Sequence, residues 1–120
     1  MNIIKRFRLD NQVAIVTGGG RGIGRAKAAL TQLTRLLAQD FAPSARVRAI
    51  ARGPIMTAAL DRALPANMRE GMTRNTPLGS LGEVDDIAAT ALYLASPASR
   101  WVTGKVIEVD GGAESSVWPG

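Results

Sequence analysis

Residues 12–24 read Gln12-Val13-Ala14-Ile15-Val16-Thr17-Gly18-Gly19-Gly20-Arg21-Gly22-Ile23-Gly24. A short apolar, β-branched run ends abruptly in Thr17 and three glycines, the pattern of a buried parallel strand running into a tight turn. Beyond Gly22 the period changes. Ile23, Ala26, Leu30, Leu33, Leu37 and Phe41 recur at steps of three and four, an apolar stripe through about five helical turns, and Pro43 closes the helix. A glycine turn between a strand and a helix is the context in which glycines acquire chemical meaning. Without side chains the turn accepts unusual backbone angles and lets a pyrophosphate approach the main chain. The helix N-terminus then offers free N–H groups and a positive dipole end to the anion. A glycine turn with no ligand is the plain alternative, and the loop by itself does not decide between them.

Downstream, Arg46 to Ala51 (RVRAIA) suits a second buried strand, ended by Gly53-Pro54. With the first strand and the helix it completes a βαβ unit. Thr57 to Thr73 holds two short helical stretches broken by Pro65, and Thr76 to Gly82 is rich in turn residues. Glu83 to Leu94 places Val84, Ile87, Ala88, Ala91, Leu92 and Leu94 on one helical face, with acidic Glu83, Asp85 and Asp86 in the first turn, where the helix dipole favours them. Lys105 to Val109 (KVIEV) is the third strand, and Asp110-Gly111-Gly112 turns the chain into a polar tail. The expected architecture is α/β: a small Rossmann-like parallel sheet of about three strands with flanking helices. The expected order is the first strand, the Arg46 strand, then the Lys105 strand. Residues 1–112 form one domain and residues 113–120 a flexible tail.

Composition narrows the chemistry. The chain has 120 residues, 46% of them hydrophobic, with no cysteine and no histidine. That removes disulfides, Ser-His and Cys-His catalysis and the usual structural zinc sites. The net charge of +5 invites a nucleic-acid reading, but the basic residues are scattered and aromatics make up 4%, so no stacking platform or basic stripe is present. Nor does any stretch have the apolar length of a signal peptide or a membrane span. Cytoplasmic location is the expectation, with neither nucleic acid nor membrane as partner.

The motifs together resemble the short-chain dehydrogenase/reductases. Thr17 to Gly24 match that family's glycine signature T-G-x-x-x-G-x-G in full. Arg46 to Thr57 (RVRAIARGPIMT) is similar to its segment R-V-N-x-I-x-P-G-x-I-x-T. Thr76 to Gly112 is similar to its closing segment, T-P-L-G-x-x-G-x-x-x-D-I-A through V-T-G-x-x-x-x-V-D-G-G. The nearest flavour is the bacterial group holding 3-oxoacyl-carrier-protein reductases and hydroxysteroid dehydrogenases. The resemblance implies NAD(P)-dependent hydride transfer between nicotinamide and a secondary alcohol or ketone. It also implies a cofactor loop of Gly18, Gly20, Arg21, Gly22, Ile23 and Gly24, with Gly53, Ile55 and Thr57 on the nicotinamide carboxamide and phosphates. The basic Arg21 inclines the cofactor toward NADP, with NAD as the other candidate. No metal is implied.

The resemblance runs through both ends of the family domain but omits its middle. Ala26-Lys27-Ala28-Ala29-Leu30 is similar to the end of the family's Y-x-x-[SA]-K-A-A-L, so Lys27 matches the catalytic lysine while the tyrosine position holds Ile23. The catalytic serine has no counterpart. Tyr93, the sole tyrosine, sits in a helical stretch as a packing residue. In the family, tyrosine moves the proton at the substrate oxygen, serine orients that oxygen, and lysine lowers the tyrosine pKa. Two departures, Arg48 for asparagine and Arg52 for proline, put long cationic side chains at strand ends expected beside the cofactor. Two readings follow: an oxidoreductase impaired in catalysis, or an internally deleted, non-catalytic remnant that self-associates or binds nucleotide weakly. Lost partner segments would leave a sheet edge and helix faces uncovered, which favours self-association.

Overall fold

The computed structural model describes the backbone of residues 24–113 and the side chains of residues 28–113. The expected first strand, the glycine loop up to Ile23 and the tail from residue 114 lie outside the described residues. In chain order the elements are α1 (Gly24–Phe41), β1 (Arg48–Arg52), β2 (Ile55–Met56), α2 (Ala58–Ala63), α3 (Ala66–Arg74), β3 (Gly82–Glu83), α4 (Val84–Ala95) and β4 (Lys105–Val109). A short 3-10 turn, Pro97–Ser99, follows α4.

β1 and β4 run parallel, in register from Arg48 opposite Lys105 to Arg52 opposite Val109. Neighbouring strand residues point to opposite faces, yet Arg48, Ala49 and Ile50 are all buried. Both faces of β1 are therefore covered. α1 and α4 are the helices that pack on both strands, giving the layered arrangement of a parallel α/β sheet. Ile50 beneath this cover and Leu94 on α4 are each 1% exposed, and such burial stabilises by about 1.5–3 kcal/mol per side chain.

The observed strand is displaced from the expected Arg46–Ala51. Val47 is not yet part of the ladder: its N–H donates to Thr103 Oγ1 at 3.1 Å and its carbonyl accepts from Gly104 N at 2.7 Å. Pairing continues through Arg52 before Gly53 ends it. α1 also packs on a different face from the expected stripe. Its buried positions are Thr34 and Ala38, whereas Leu33 and Phe41 are each 53% exposed. Small side chains prevail here because the helix lies close against the residue leading into β4. A Cβ built on Gly104 would touch Ala38 Cβ at 3.4 Å. Thr34 satisfies its own hydroxyl by donating to Leu30 O at 2.7 Å.

α4 starts where its acidic cluster predicts. Glu83 is its N-cap: the Glu83 backbone N–H donates to Asp86 Oδ2 at 2.7 Å, and the Glu83 side chain accepts from the Asp86 backbone, closing a capping box. Only Leu94 of the expected apolar face is fully buried, and Val84 and Leu92 are exposed. Tyr93 is also 38% exposed, a correction to its expected packing role.

Candidate functional site

In open parallel sheets, ligands bind beyond the carboxyl ends of the strands. At that end β1 and β4 release Gly53 and Asp110 side by side. Gly53 N–H donates to Val109 O at 2.8 Å, and a Cβ on Gly53 would fall 2.7 Å from Asp110 Cα. Only glycine fits there. Asp110 holds its own turn, its Oδ1 accepting from Gly112 N at 2.9 Å. Leu78 N–H donates to Gly111 O at 3.1 Å, fastening the Thr76 to Gly79 turn to the same end of the sheet.

Past Gly53 the chain forms β2, which pairs in parallel with β3 so that Ile55 faces Gly82. Gly82 N–H donates to Pro54 O at 3.1 Å. Ile55 is 7% exposed, its side chain turned inward over Gly82. What it can offer a ligand is main chain. Thr57 is exposed and caps α2, its Oγ1 accepting from Leu60 N at 3.1 Å. That bond uses an oxygen lone pair and leaves the hydroxyl proton free to donate. Gly53, Ile55 and Thr57 thus follow one another directly beyond the carboxyl end of β1. Gly24 opens α1 and Lys27 lies in its first turn. Gly18, Gly20, Arg21, Gly22 and Ile23 lie outside the described residues.

Arg48 and Arg52 part company. Arg52 is exposed at the carboxyl end of β1 and donates from Nη1 to Gly53 O at 3.4 Å. Arg48 stands at the opposite end, fully buried, which corrects its expected place beside the cofactor. Its guanidinium donates to Val102 O and Ser99 Oγ, both at 3.2 Å. Burial, reinforced by nearby Arg46 and partly opposed by Tyr93, pulls its pKa down to about 10. Tyr93 belongs to the Arg46 side of the sheet: Ser96 donates from Oγ to Tyr93 O at 2.9 Å, and Ser96 O accepts from Arg46 Nη2 at 3.4 Å, just before β1 begins.

Beside the segment an open groove of about 570 Å³ runs between α3 and the start of α4, lined by Met56, Arg69, Thr73, Ser80, Leu81 and Val84. Arg69 on its wall pairs with Asp61 and donates to Asp61 O at 3.3 Å, tying α2 to α3. Gly82 and Asp110, which brace the segment, were not singled out by sequence reasoning. Their motifs were visible, but their convergence on Ile55 and Gly53 is a property of the folded chain. Among the described residues no helix is long and apolar enough to cross a membrane.

The family model described as enoyl-(acyl carrier protein) reductase matches residues 11–114. An uncharacterised oxidoreductase of Mycobacterium tuberculosis is 53% identical over 96 residues, covering 78% of this chain and 36% of that protein. The 7alpha-hydroxysteroid dehydrogenase of Escherichia coli K12 is 41% identical over 88 residues, covering 72% of this chain and 34% of the enzyme. Among solved structures, a 7 alpha-hydroxysteroid dehydrogenase complexed with NADH and 7-oxo glycochenodeoxycholic acid superposes with TM-score 0.70 at 34% identity, covering 87% of this chain and 45% of that one. A hydroxysteroid dehydrogenase from Escherichia coli gives TM-score 0.73 at 35% identity, covering 87% and 46%. The chain therefore spans about a third of the curated relatives it matches and less than half of the solved structures. With one family model running through nearly its whole length and the parallel α/β layering in place, the chain belongs to the short-chain dehydrogenase/reductase family.

Proposed function

We propose that this chain is an NAD(P)-dependent oxidoreductase of the short-chain type that binds a nicotinamide dinucleotide and is impaired in catalysis. The observation that carries the binding half is the Gly53–Thr57 segment leaving the carboxyl end of β1, with Gly53 close against Asp110. When bound, the nicotinamide ring would supply or accept a hydride, the partner being a secondary alcohol or ketone. The Thr57 hydroxyl and the main chain of Ile55 would hold the nicotinamide end of that cofactor. Gly18, Gly20, Arg21, Gly22, Ile23 and Gly24 would hold its pyrophosphate, and Arg21 favours NADP over NAD. Lys27, in the first turn of α1, matches the family's catalytic lysine and would be the one member of that catalytic set this chain retains.

The impairment follows from proton transfer. Reducing a ketone puts hydride on carbon and a proton on oxygen, and the proton must come from an acid at the same end of the sheet. Ile23 stands at the tyrosine position, and isoleucine has no proton to give. Tyr93 is tied through Ser96 to Arg46, ahead of the amino end of β1. Titration with NADP, NAD and ADP-ribose tests binding. Absorbance of NADPH or NADH with a panel of ketones and β-ketoacyl thioesters tests turnover against a Lys27→Ala control. Binding without turnover is the expected result, and robust turnover overturns the impairment.

The other reading is a non-catalytic, internally deleted remnant, in which apolar helix surface is left uncovered. Leu33, Leu36 and Phe41 on α1 are 53%, 48% and 53% exposed, so self-association belongs with this proposal. So do a single unit over residues 1–112, a flexible tail beyond it and a cytoplasmic location.

A further inference from the structure

The cofactor segment is held in place by a contact that has no chemistry of its own. A Cβ built on Gly82 would lie 2.6 Å from Ile55 Cδ1, far inside the roughly 3.5–4 Å of ordinary carbon contact. Ile55 is 7% exposed, so its terminal methyl has little room to swing aside. Gly82 has no positive φ, and the backbone there suits any residue. The missing side chain is therefore needed for Ile55 alone. β3 is itself anchored. Glu83 N–H donates to Asp86 Oδ2 at 2.7 Å and the Glu83 side chain accepts in return, so the cap of the 12-residue α4 holds β3. Gly82 N–H in turn holds Pro54 O at 3.1 Å, and β2 runs directly into Thr57.

We infer that Gly82 is a positioning residue for the dinucleotide, its bare Cα fixing the seat of Ile55 and so aiming the Ile55–Thr57 main chain and the Thr57 hydroxyl at the nicotinamide end. This rests on the reading of Gly53–Thr57 as the nicotinamide half-site. Gly82 touches no ligand in this scheme. Its effect passes through Ile55, along a chain of contacts that begins at the α4 cap.

Gly82→Ala forces the terminal methyl of Ile55 aside by about 1 Å, the shortfall of 2.6 Å against ordinary carbon contact. The expected result is an affinity for NADH weakened about tenfold, with ADP-ribose, which lacks the nicotinamide, held within about twofold. Amide exchange at Ile55–Thr57 in the ligand-free protein is expected to quicken. Adding Ile55→Val to Gly82→Ala removes Cδ1 and is expected to restore both the NADH preference and the slow exchange. A wild-type preference for NADH over ADP-ribose that survives Gly82→Ala, with unchanged exchange, overturns the inference while leaving the half-site reading intact. A wild-type chain that binds ADP-ribose as tightly as NADH overturns the half-site reading, and the inference with it.

Discussion

Arg48 donates from Nη2 to Ser99 Oγ at 3.2 Å, binding the amino end of β1 to the turn that follows α4. No carboxylate stands within ion-pairing reach of it among the described residues, and its Nε is buried without a partner. A buried cation held only by neutral acceptors carries a desolvation cost that its hydrogen bonds offset in part. Shape and charge can be separated. Arg48→Met, of similar bulk, is expected to hold the urea midpoint within about 1 kcal/mol of wild type at neutral pH. Arg48→Ala opens a cavity and is expected to lose about 2–4 kcal/mol.

The same residue gives a pH dependence. Its pKa is lowered in the fold to about 10, whereas in the unfolded chain it stays in the ordinary, higher arginine range. Between those values the unfolded chain binds more protons, so stability rises with pH. Below the window the penalty is constant. Equilibrium unfolding between about pH 9 and pH 11 is expected to show wild type gaining on Arg48→Met. A wild type that loses ground instead would mean that the charge stabilises the fold.

The cap of α4 predicts a smaller, local effect. Asp86→Ala removes the acceptor of the Glu83 N–H, a bond of 2.7 Å, and is expected to cost about 1 kcal/mol. Asp86→Asn retains an acceptor and is expected to cost less. Both are read from thermal midpoints at fixed pH.

α1 presents Leu33 and Leu36 to solvent at 53% and 48% exposure. Leu36→Glu breaks no buried packing, so its expected effect on unfolding is within about 0.5 kcal/mol. If these leucines cover one another between copies, sedimentation of the wild type depends on concentration and that of Leu36→Glu does not.

β4 was legible to the residue, because Lys105 to Val109 is β-branched between two glycine turns. Pro65 split α2 from α3 as expected. The packing face of α1 was not legible, since a stripe records where apolar residues are, not how closely a helix must approach a strand. Thr34 and Ala38 prevail by being small. β2 and β3 are two residues each, too short to carry a period. Motif alone does not say which end of a strand a residue occupies; the register with Lys105 puts Arg48 at the amino end of β1. Of the candidate site, Gly53, Ile55 and Thr57 came from motif, but the bracing by Asp110 and Gly82 needed the fold.

Thr57 offers a test in which stability and binding diverge. Its Oγ1 accepts from Leu60 N at 3.1 Å, and α2 buries no residue, so losing the cap frays a surface helix and leaves the β1–β4 core alone. Thr57→Val keeps the shape and removes both the cap and the free hydroxyl proton. Its expected effect on the global midpoint is within about 0.5 kcal/mol, because the core transition does not depend on α2. Its expected effect on dinucleotide affinity is a loss of about 1 kcal/mol, or fivefold, for one hydrogen bond. Thr57→Ser keeps the oxygen and its proton and is expected to bind like wild type. Affinity that falls in Thr57→Ser but not in Thr57→Val would assign the effect to the γ-methyl group rather than to the hydroxyl, and would remove Thr57 from the set of polar contacts.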